Sequence, residues 1–262
     1  MASPRPYLRP VPIALAHRGG ARYGPNAGLE NTLTAFRNAV RLGYTYLETD
    51  VHLTSDGQLV VLHDDRLDRV TDRTGPVREL PWSQVRQARI GGHERIPLLS
   101  EVLDALPETR LNIDLKAPGT AEPTWELIHS RGRCDDCCVG SFSHRLVTRF
   151  RRLSGGRVAT AASTPGTALM ALGPRWLSQV LRTPADVFQV PTGITVRGRA
   201  VPLVTPKLVE LAHRCAKQVH VWTVDDADEM ERLLDLGVDG IVTDRIDVLK
   251  AVLVARDSWT GR

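Results

Sequence analysis

Two histidines, an arginine, a lysine and three carboxylates stand in this sequence where apolar β-type runs come to an end. The run Ile13 to Ala16 leads into His17-Arg18-Gly19, and Leu59 to Leu62 leads into His63-Asp64. Glu48 and Asp50 lie near the end of Tyr46 to Val51, and Asp114 and Lys116 sit at the end of Leu111 to Leu115. Residues two apart on a strand share a face, so each of those last two pairs points in one direction. Three carboxylates brought to one place repel unless a cation lies among them, and oxygen-only donors suit Mg²⁺ or Ca²⁺ better than zinc. Histidines near neutrality move protons, while an arginine fork and a lysine ammonium hold anionic oxygens. Together these residue types suit metal-assisted phosphoryl chemistry.

Something must bring residues 17 to 116 to one place. Strand-like runs, Ile13 to His17, Tyr46 to Val51, Leu59 to His63, Leu111 to Leu115, Cys137 to Ser141, Val158 to Ala161, Val187 to Val190, Val219 to Val224 and Gly240 to Thr243, punctuate the chain. Between them lie amphipathic stretches of helical period: Thr32 to Leu42, Leu99 to Leu106, Ala121 to Ser130, Ser143 to Leu153, Pro206 to Ala216, Ala227 to Leu236 and Ile246 to Val254. Asp226 is placed to cap the start of Ala227 to Leu236 and Gly237 to stop its end.

Such alternation predicts βαβ crossovers and a parallel sheet. Spread over eight units, 262 residues allow about 33 each, the size of one strand–helix repeat. The expected fold class is therefore α/β, a TIM (β/α)8 barrel with its working face at the C-terminal ends of the strands. A doubly wound sheet would want Gly-x-Gly-x-x-Gly after the first strand, and Gly19-Gly20 lacks the third glycine. One stretch breaks the repeat. Residues 64–97, polar and turn-rich around Thr71-Asp72-Arg73-Thr74-Gly75-Pro76, read as a small insertion after the second barrel strand region, capping part of the mouth. The expected plan is a Pro/Arg-rich N-terminal extension, 1–12, and one barrel domain, 13–262.

Composition narrows the partners. The 34 basic and 30 acidic residues are interspersed, and the net charge of +4 mildly favours anionic ligands without forming a basic track. With 5% aromatic residues there is no stacking platform for bases, so no nucleic acid is expected. No run approaches the ~18 apolar residues of a membrane span, so no stable membrane insertion is expected. Met1 to Pro12 lacks the apolar core of a secretory signal, which points to the cytoplasm and to reduced thiols. Cys134-x-x-Cys137-Cys138 has no second ligand pair for zinc and reads as buried strand thiols.

In order along the chain, Ala16-His17-Arg18-Gly19-Gly20, Glu30-Asn31-Thr32, Glu48-Thr49-Asp50-Val51, His63-Asp64 and Asn112-Ile113-Asp114-Leu115-Lys116 resemble motifs of the glycerophosphodiester phosphodiesterase family. So do Val221-Trp222-Thr223-Val224-Asp225 and Gly237-Val238-Asp239-Gly240-Ile241-Val242-Thr243-Asp244-Arg245, and the likeness runs from Ala14 to Val254. It implies a TIM barrel that hydrolyses glycerophosphodiesters to glycerol 3-phosphate and an alcohol, using one divalent cation, Mg²⁺ or Ca²⁺. The family's acid–base histidines map onto His17 and His63, its metal ligands onto Glu48, Asp50 and Asp114, and its phosphate-holding cations onto Arg18 and Lys116. The third family ligand is usually glutamate, and Asp114 draws that carboxylate back by roughly one methylene. The usual Thr-Asp-Arg-Pro is here Thr243-Asp244-Arg245-Ile246, which removes a proline from the start of the last helix. In the family picture the neighbouring glycerol hydroxyl attacks first, giving a cyclic phosphate that water opens.

Other residues take supporting expectations. Trp222, at a strand end, is expected to pack against the glycerol or the departing group, with a core tryptophan as the alternative. Asn31 is expected to contact substrate and Glu30 to order the site, while Asp64 either positions His63 or opens the insertion. His52 shares the face of Glu48 and Asp50 but precedes the turn Thr54-Ser55-Asp56-Gly57, so a structural place near the rim is expected. Asp225 and Asp244 are expected to cap the helices that follow them. The basic run from His144 to Arg152 reads as a solvated helix face, and Arg197 and Arg199 as part of a loop at the mouth. A small-molecule glycerophosphodiester is the expected partner. Two rivals stand beside this reading. A lysophospholipase D-type hydrolase on the same barrel would be favoured by an apolar groove at the mouth. A non-catalytic phosphodiester-binding barrel would have no use for the acid–base pair.

Overall fold

The computed structural model describes residues 5–163, 183–196 and 199–262. Its frame is eight parallel strands: β1 (Ile13–Ala16), β2 (Tyr46–Leu53), β3 (Arg110–Leu115), β4 (Cys137–Gly140), β5 (Ala159–Thr160), β6 (Val187–Pro191), β7 (Gln218–Trp222) and β8 (Gly240–Thr243). They are hydrogen-bonded in the order β5-β4-β3-β2-β1-β8-β7-β6. The two ends meet through a parallel bridge between Ala161 and Val187, where the Ala162 N–H donates to the Val187 carbonyl at 2.8 Å. This is the TIM barrel that the strand–helix alternation predicts. Strands buried on both faces read as continuous apolar runs, and all four residues of β1 are buried.

The helices fall within two residues of their expected bounds, from Leu33–Arg41 to Ile246–Ala255. Thr32 caps the first by accepting from the Ala35 N–H, and Asp226 caps Ala227–Asp235 by accepting from the Glu229 N–H. Gly237, at φ +86°, then ends that helix as a left-handed residue. Of the nine strand-like runs, Leu59–Val61 is no barrel stave: it turns back antiparallel to Val51 through Leu53 of β2. Among the described residues, no helix is long and apolar enough to cross a membrane.

Two segments differ from their sequence-based description. The N-terminal extension is partly built into the barrel. Tyr7 and Leu8 are buried with Ile13, Leu15, Tyr46, Cys138, Ala159 and Val187, and plug the interior at the end away from the mouth. The Tyr46 hydroxyl lies 2.8 and 2.7 Å from the Tyr7 and Arg9 carbonyls, which share its one proton, and Gln218 Nε2 donates to the Leu8 carbonyl at 2.8 Å. Burying two such side chains stabilises the plug by about 1.5–3 kcal/mol each. The insertion, in turn, carries a small core of its own: Val60, Leu62, Leu67, Val77, Val85, Ala88, Ile90 and Ile96 are buried together. Its apolar residues are too widely spaced among turn residues to show a period. Cys137 and Cys138 are fully buried thiols on β4, as expected.

Candidate active site

A cavity of about 490 Å³ opens at the C-terminal ends of the strands. His17, Arg18, Glu48, Asp50, His63, Asp114, Lys116 and Trp222 all line it. The pleat explains the convergence. Glu48 and Asp50 point inward from β2, and β3 lies beside it with Asp50 opposite Asp114 in register. Glu30, Asn31 and Asp64 lie outside the lining and act on it from behind.

The loop after β1 is shaped by close packing. A Cβ on Gly19 would come 2.9 Å from the Ala35 Cβ and 3.0 Å from its backbone, and one on Gly20 would meet Ile246 at 2.7 Å. Both glycines also have φ near +90°, so no other residue suits this turn. Arg18 and Asn31 themselves sit at φ +50° and +60°, and the Asn31 N–H donates to the Arg18 carbonyl at 2.9 Å. Non-glycine residues hold such conformations only where their surroundings over-determine them. Asn31, expected as a substrate contact, is instead fully buried: its Nδ2 donates to Asp50 at 3.0 Å and its Oδ1 accepts from Thr49 at 2.8 Å. Both ends of its amide are spent on orienting β2.

Charge is packed densely here. Lys116 Nζ lies 2.9 Å from Asp50 Oδ1 and 2.8 Å from Asp114 Oδ2. Burial alone would raise the Asp50 carboxyl, but Lys116, Arg18 and the Asn31 amide outweigh it and hold it low. Burial raises Asp114, with Lys116 opposing. Glu48 is different. It accepts a hydrogen bond from the Arg18 N–H at 3.1 Å but, among the described residues, has no cationic side chain in hydrogen-bond contact, and burial together with Asp50 pushes it up to about 7. A buried carboxylate short of positive charge, beside two more oxygen donors, has the chemistry of a hard-cation site. As the side chains stand, Lys116 lies between Asp50 and Asp114, and no group of three His, Cys, Asp or Glu among the described residues forms a ready ligand set. The donor types fit a divalent cation; the spacing fits it only if the Lys116 ammonium gives way.

Each histidine has its own aspartate. His17 Nδ1 is 2.8 Å from Asp244 Oδ1, and its Nε2 is 3.8 Å from Glu48. Burial opposes charging of His17, but Glu48 and Asp244 prevail and raise it above its ordinary value. His63 Nδ1 is 2.6 Å from Asp64 Oδ1, which answers the open choice for Asp64: it holds the ring. Arg69 brackets Asp64 and Glu30 together, and its hydrogen bonds lower Asp64 to about 2. His52, expected near the rim, is buried, and its Nε2 donates to the His63 carbonyl at 3.1 Å; burial lowers its basicity.

Sequence reasoning missed several of these residues. Asp225 and Asp244 do not cap helices. Asp225 accepts from Thr243 Oγ1 at 3.0 Å and from the Asp244 and Arg245 N–H groups at 2.9 and 3.3 Å, shaping the turn that aims Asp244 at His17. A strand-end position just beyond β8 was the available signal for Asp244. On the cavity floor, Gln189 Nε2 donates to Asn112 Oδ1 at 2.8 Å. Asn112 shares the face of Asp114 two residues on, and Gln189 is a lone polar residue in an apolar strand. Nothing local marked Arg69. The lining also carries an apolar wall, Phe142, Pro191, Ile194, Leu203 and Trp222, with Lys116 Nζ 5.6 Å from the centre of the Phe142 ring. Trp222 thus faces the cavity, and its ring meets Phe142 edge-on at 5.7 Å. Arg197 lies outside the described residues, as does the side chain of Arg199.

Strand-end carboxylates, two histidine–aspartate pairs, an arginine and a lysine at the mouth of a TIM barrel are the groups of a phosphoryl-transfer hydrolase. Solved structures share this architecture: a phosphodiesterase from Oleispira antarctica in complex with the product sn-glycerol-3-phosphate superposes with a TM-score of 0.75 at 21% identity, covering 93% of this chain and 97% of that one. Residues 17–248 match the Glycerophosphoryl diester phosphodiesterase family. A probable glycerophosphodiester phosphodiesterase 2 from Mycobacterium tuberculosis is 42% identical over 95% of this chain and 93% of its own length. A lysophospholipase D from Rattus norvegicus is 29% identical over 91% of this chain and 85% of its own length. The chain belongs to the glycerophosphoryl diester phosphodiesterase family, and its activity is hydrolysis of glycerophosphodiesters to glycerol 3-phosphate and an alcohol.

Proposed function

We propose that His17 and His63 divide the proton transfers of this hydrolysis, that Arg18 and Lys116 hold the phosphate, and that Glu48, Asp50 and Asp114 hold one divalent cation. The observation carrying the reading is that both histidines line one cavity together with these cations and carboxylates. A phosphodiester bears one negative charge, and more develops on its equatorial oxygens during displacement. The Arg18 fork and the Lys116 ammonium supply N–H donors there; Arg18 Nε makes no hydrogen bond among the described residues and lies 3.4 Å from Asp50 Oδ2. Because each Nδ1 faces its aspartate, Nε2 is the atom left to move a proton. One histidine takes the proton of the attacking glycerol hydroxyl and the other protonates the leaving alkoxide; water then opens the cyclic phosphate with the roles reversed. A bound cation, Mg²⁺ or Ca²⁺, would screen the carboxylates and polarise a phosphoryl oxygen or hydroxyl. Asn31 and Glu30 support the reaction from outside the cavity, and Trp222 packs against the substrate. A single barrel domain over 13–262, into which Tyr7 and Leu8 of the extension pack, and a cytoplasmic setting belong to the same reading; the free cysteines support the setting.

The apolar wall favours a second reading of the substrate, one that retains an acyl chain as in lysophospholipids. The test is release of glycerol 3-phosphate from glycerophosphocholine and glycerophosphoethanolamine, beside choline release from lysophosphatidylcholine. Each is run with chelator and with Mg²⁺ or Ca²⁺ restored. Metal-restored hydrolysis of the deacylated diesters is the expected result. Turnover of the lysolipid alone would move the assignment to the second reading, and chelator-resistant turnover would remove the cation from it.

A further inference from the structure

Arg69, contributed by the insertion, joins the two halves of the site. Its Nη1 donates to Glu30 Oε2 at 2.8 Å and its Nη2 to Glu30 Oε1 at 2.7 Å. On its other edge, Nε donates to Asp64 Oδ2 at 2.6 Å and Nη2 to Asp64 Oδ1 at 3.0 Å. Each carboxylate then touches a cavity residue. Glu30 Oε1 accepts from Arg18 Nη1 at 3.1 Å, and Asp64 Oδ1 meets His63 Nδ1 at 2.6 Å. We propose that Arg69 is a positioning residue that sets the His63 ring relative to Arg18 by clamping Asp64 to Glu30.

The need for such a clamp follows from how His63 is held. It sits on the turn between a hairpin strand and the insertion, with 34% of its side chain exposed, so packing alone fixes it weakly. Asp64 orients the ring, but Asp64 and Glu30 are both anions and repel when nothing lies between them. A planar guanidinium bonded to both on two edges sets their directions as well as their separation, which a point charge cannot do. Arg69 is itself 48% exposed, so its loss removes the clamp and leaves the barrel core intact.

The inference rests on the reading that His63 moves a proton. Turnover of glycerophosphocholine is measured for Arg69→Ala, Arg69→Gln, Arg69→Lys, Asp64→Asn, the Asp64→Asn/Arg69→Ala double variant and His63→Ala, with thermal midpoints recorded for all. Arg69→Ala and Arg69→Gln are expected to lose roughly 10- to 100-fold in kcat with KM within about threefold, because the reacting group is displaced while Arg18 stays. Arg69→Lys recovers part of kcat. The double variant is expected to be about as slow as the slower single one, since both changes act on the same ring. A kcat within about threefold of the parent in Arg69→Gln, or single losses that multiply in the double variant, overturns the clamp. Full activity in His63→Ala instead overturns the underlying role of His63.

Discussion

The two histidine–aspartate pairs of the cavity are built from different parts of the molecule. His17 is made by the barrel itself: β1 delivers it, the turn after β8 delivers Asp244, and β2 brings Glu48 to its other nitrogen. The glycines behind it admit no side chain, and 16% of the His17 side chain is exposed. His63 is made at the edge, on the hairpin returning from β2, and its partner Asp64 is held by a salt-bridged chain rather than by packing. Its backbone is fixed by the buried His52, while its ring depends on Arg69. One pair is rigid because strands and close-packed turns leave it no alternative; the other is held by charges close to solvent, where ion pairs are weaker and screened. A site assembled in this way has one half fixed by the fold and one half that can be tuned by changing an insertion.

The comparison breaks first on whether both halves are needed. His17→Ala and His63→Ala are each expected to lower kcat on glycerophosphocholine by at least about 10²- to 10⁴-fold, with the double variant little worse than either. Glycerol 3-phosphate release over hours of incubation resolves that range. A histidine whose removal leaves more than a tenth of the activity is not part of the proton transfer, and the two pairs are then not equivalent in role.

How far the sequence foretold this difference follows the same division. The barrel, its strands and the residues at strand ends were legible because period two and period 3.6 are written into local spacing, and Glu48, Asp50, Asp114 and Lys116 arrive together by alternation alone. Asp244 obeys the same rule, one position beyond β8, and was misread as a helix cap because an aspartate before a helix usually is one. Asn31 was misread for a related reason: sequence places it in the motif but does not reveal that both ends of its amide are used in the interior. Arg69 and the insertion core were not legible. Their partners lie across the fold, and no local period marks a residue whose purpose is to join two loops. Tyr7 and Leu8 likewise sit among prolines and arginines, and only the open end of a barrel gives them a place to be buried.

A finer cut comes from the aspartates. Asp244→Asn is expected to cost roughly 10²-fold in kcat, because an amide beside a confined ring favours the wrong tautomer and cannot be relieved by solvent. Asp64→Asn is expected to cost nearer 10-fold, since His63 is more exposed and water can replace part of the lost interaction. Parallel kcat measurements on the two variants, with KM as the check on substrate binding, give the ratio directly. Equal losses would mean that the edge pair is as tightly constrained as the inner one, and the contrast drawn from exposure would fail.

A third histidine completes the comparison by lacking a carboxylate partner among the described residues. His220, on β7, is fully buried; its Nε2 donates to Gln218 Oε1 at 3.0 Å, and its Nδ1 has no hydrogen-bond partner among the described residues. Burial alone drives it down to about 3, whereas His17, also in the barrel but flanked by Glu48 and Asp244, is driven up. The sign for stability follows. Above the unfolded value near 6.5, both states carry a neutral ring and His220 exerts no pH dependence. As pH falls below that value the unfolded chain takes up the proton and the folded one does not, so stability declines until the folded ring also charges near 3. Between pH 7 and pH 5 this one residue should remove about 2 kcal/mol, at 1.36 kcal/mol per unit below 6.5. Urea unfolding of the parent and of His220→Leu at both pH values isolates the effect, because every other titrating group is common to the two proteins. The parent should lose about 2 kcal/mol more than the variant over that interval. An equal loss in both would mean that water or a neighbour satisfies the ring, and that carboxylates are not what separates His17 from His220.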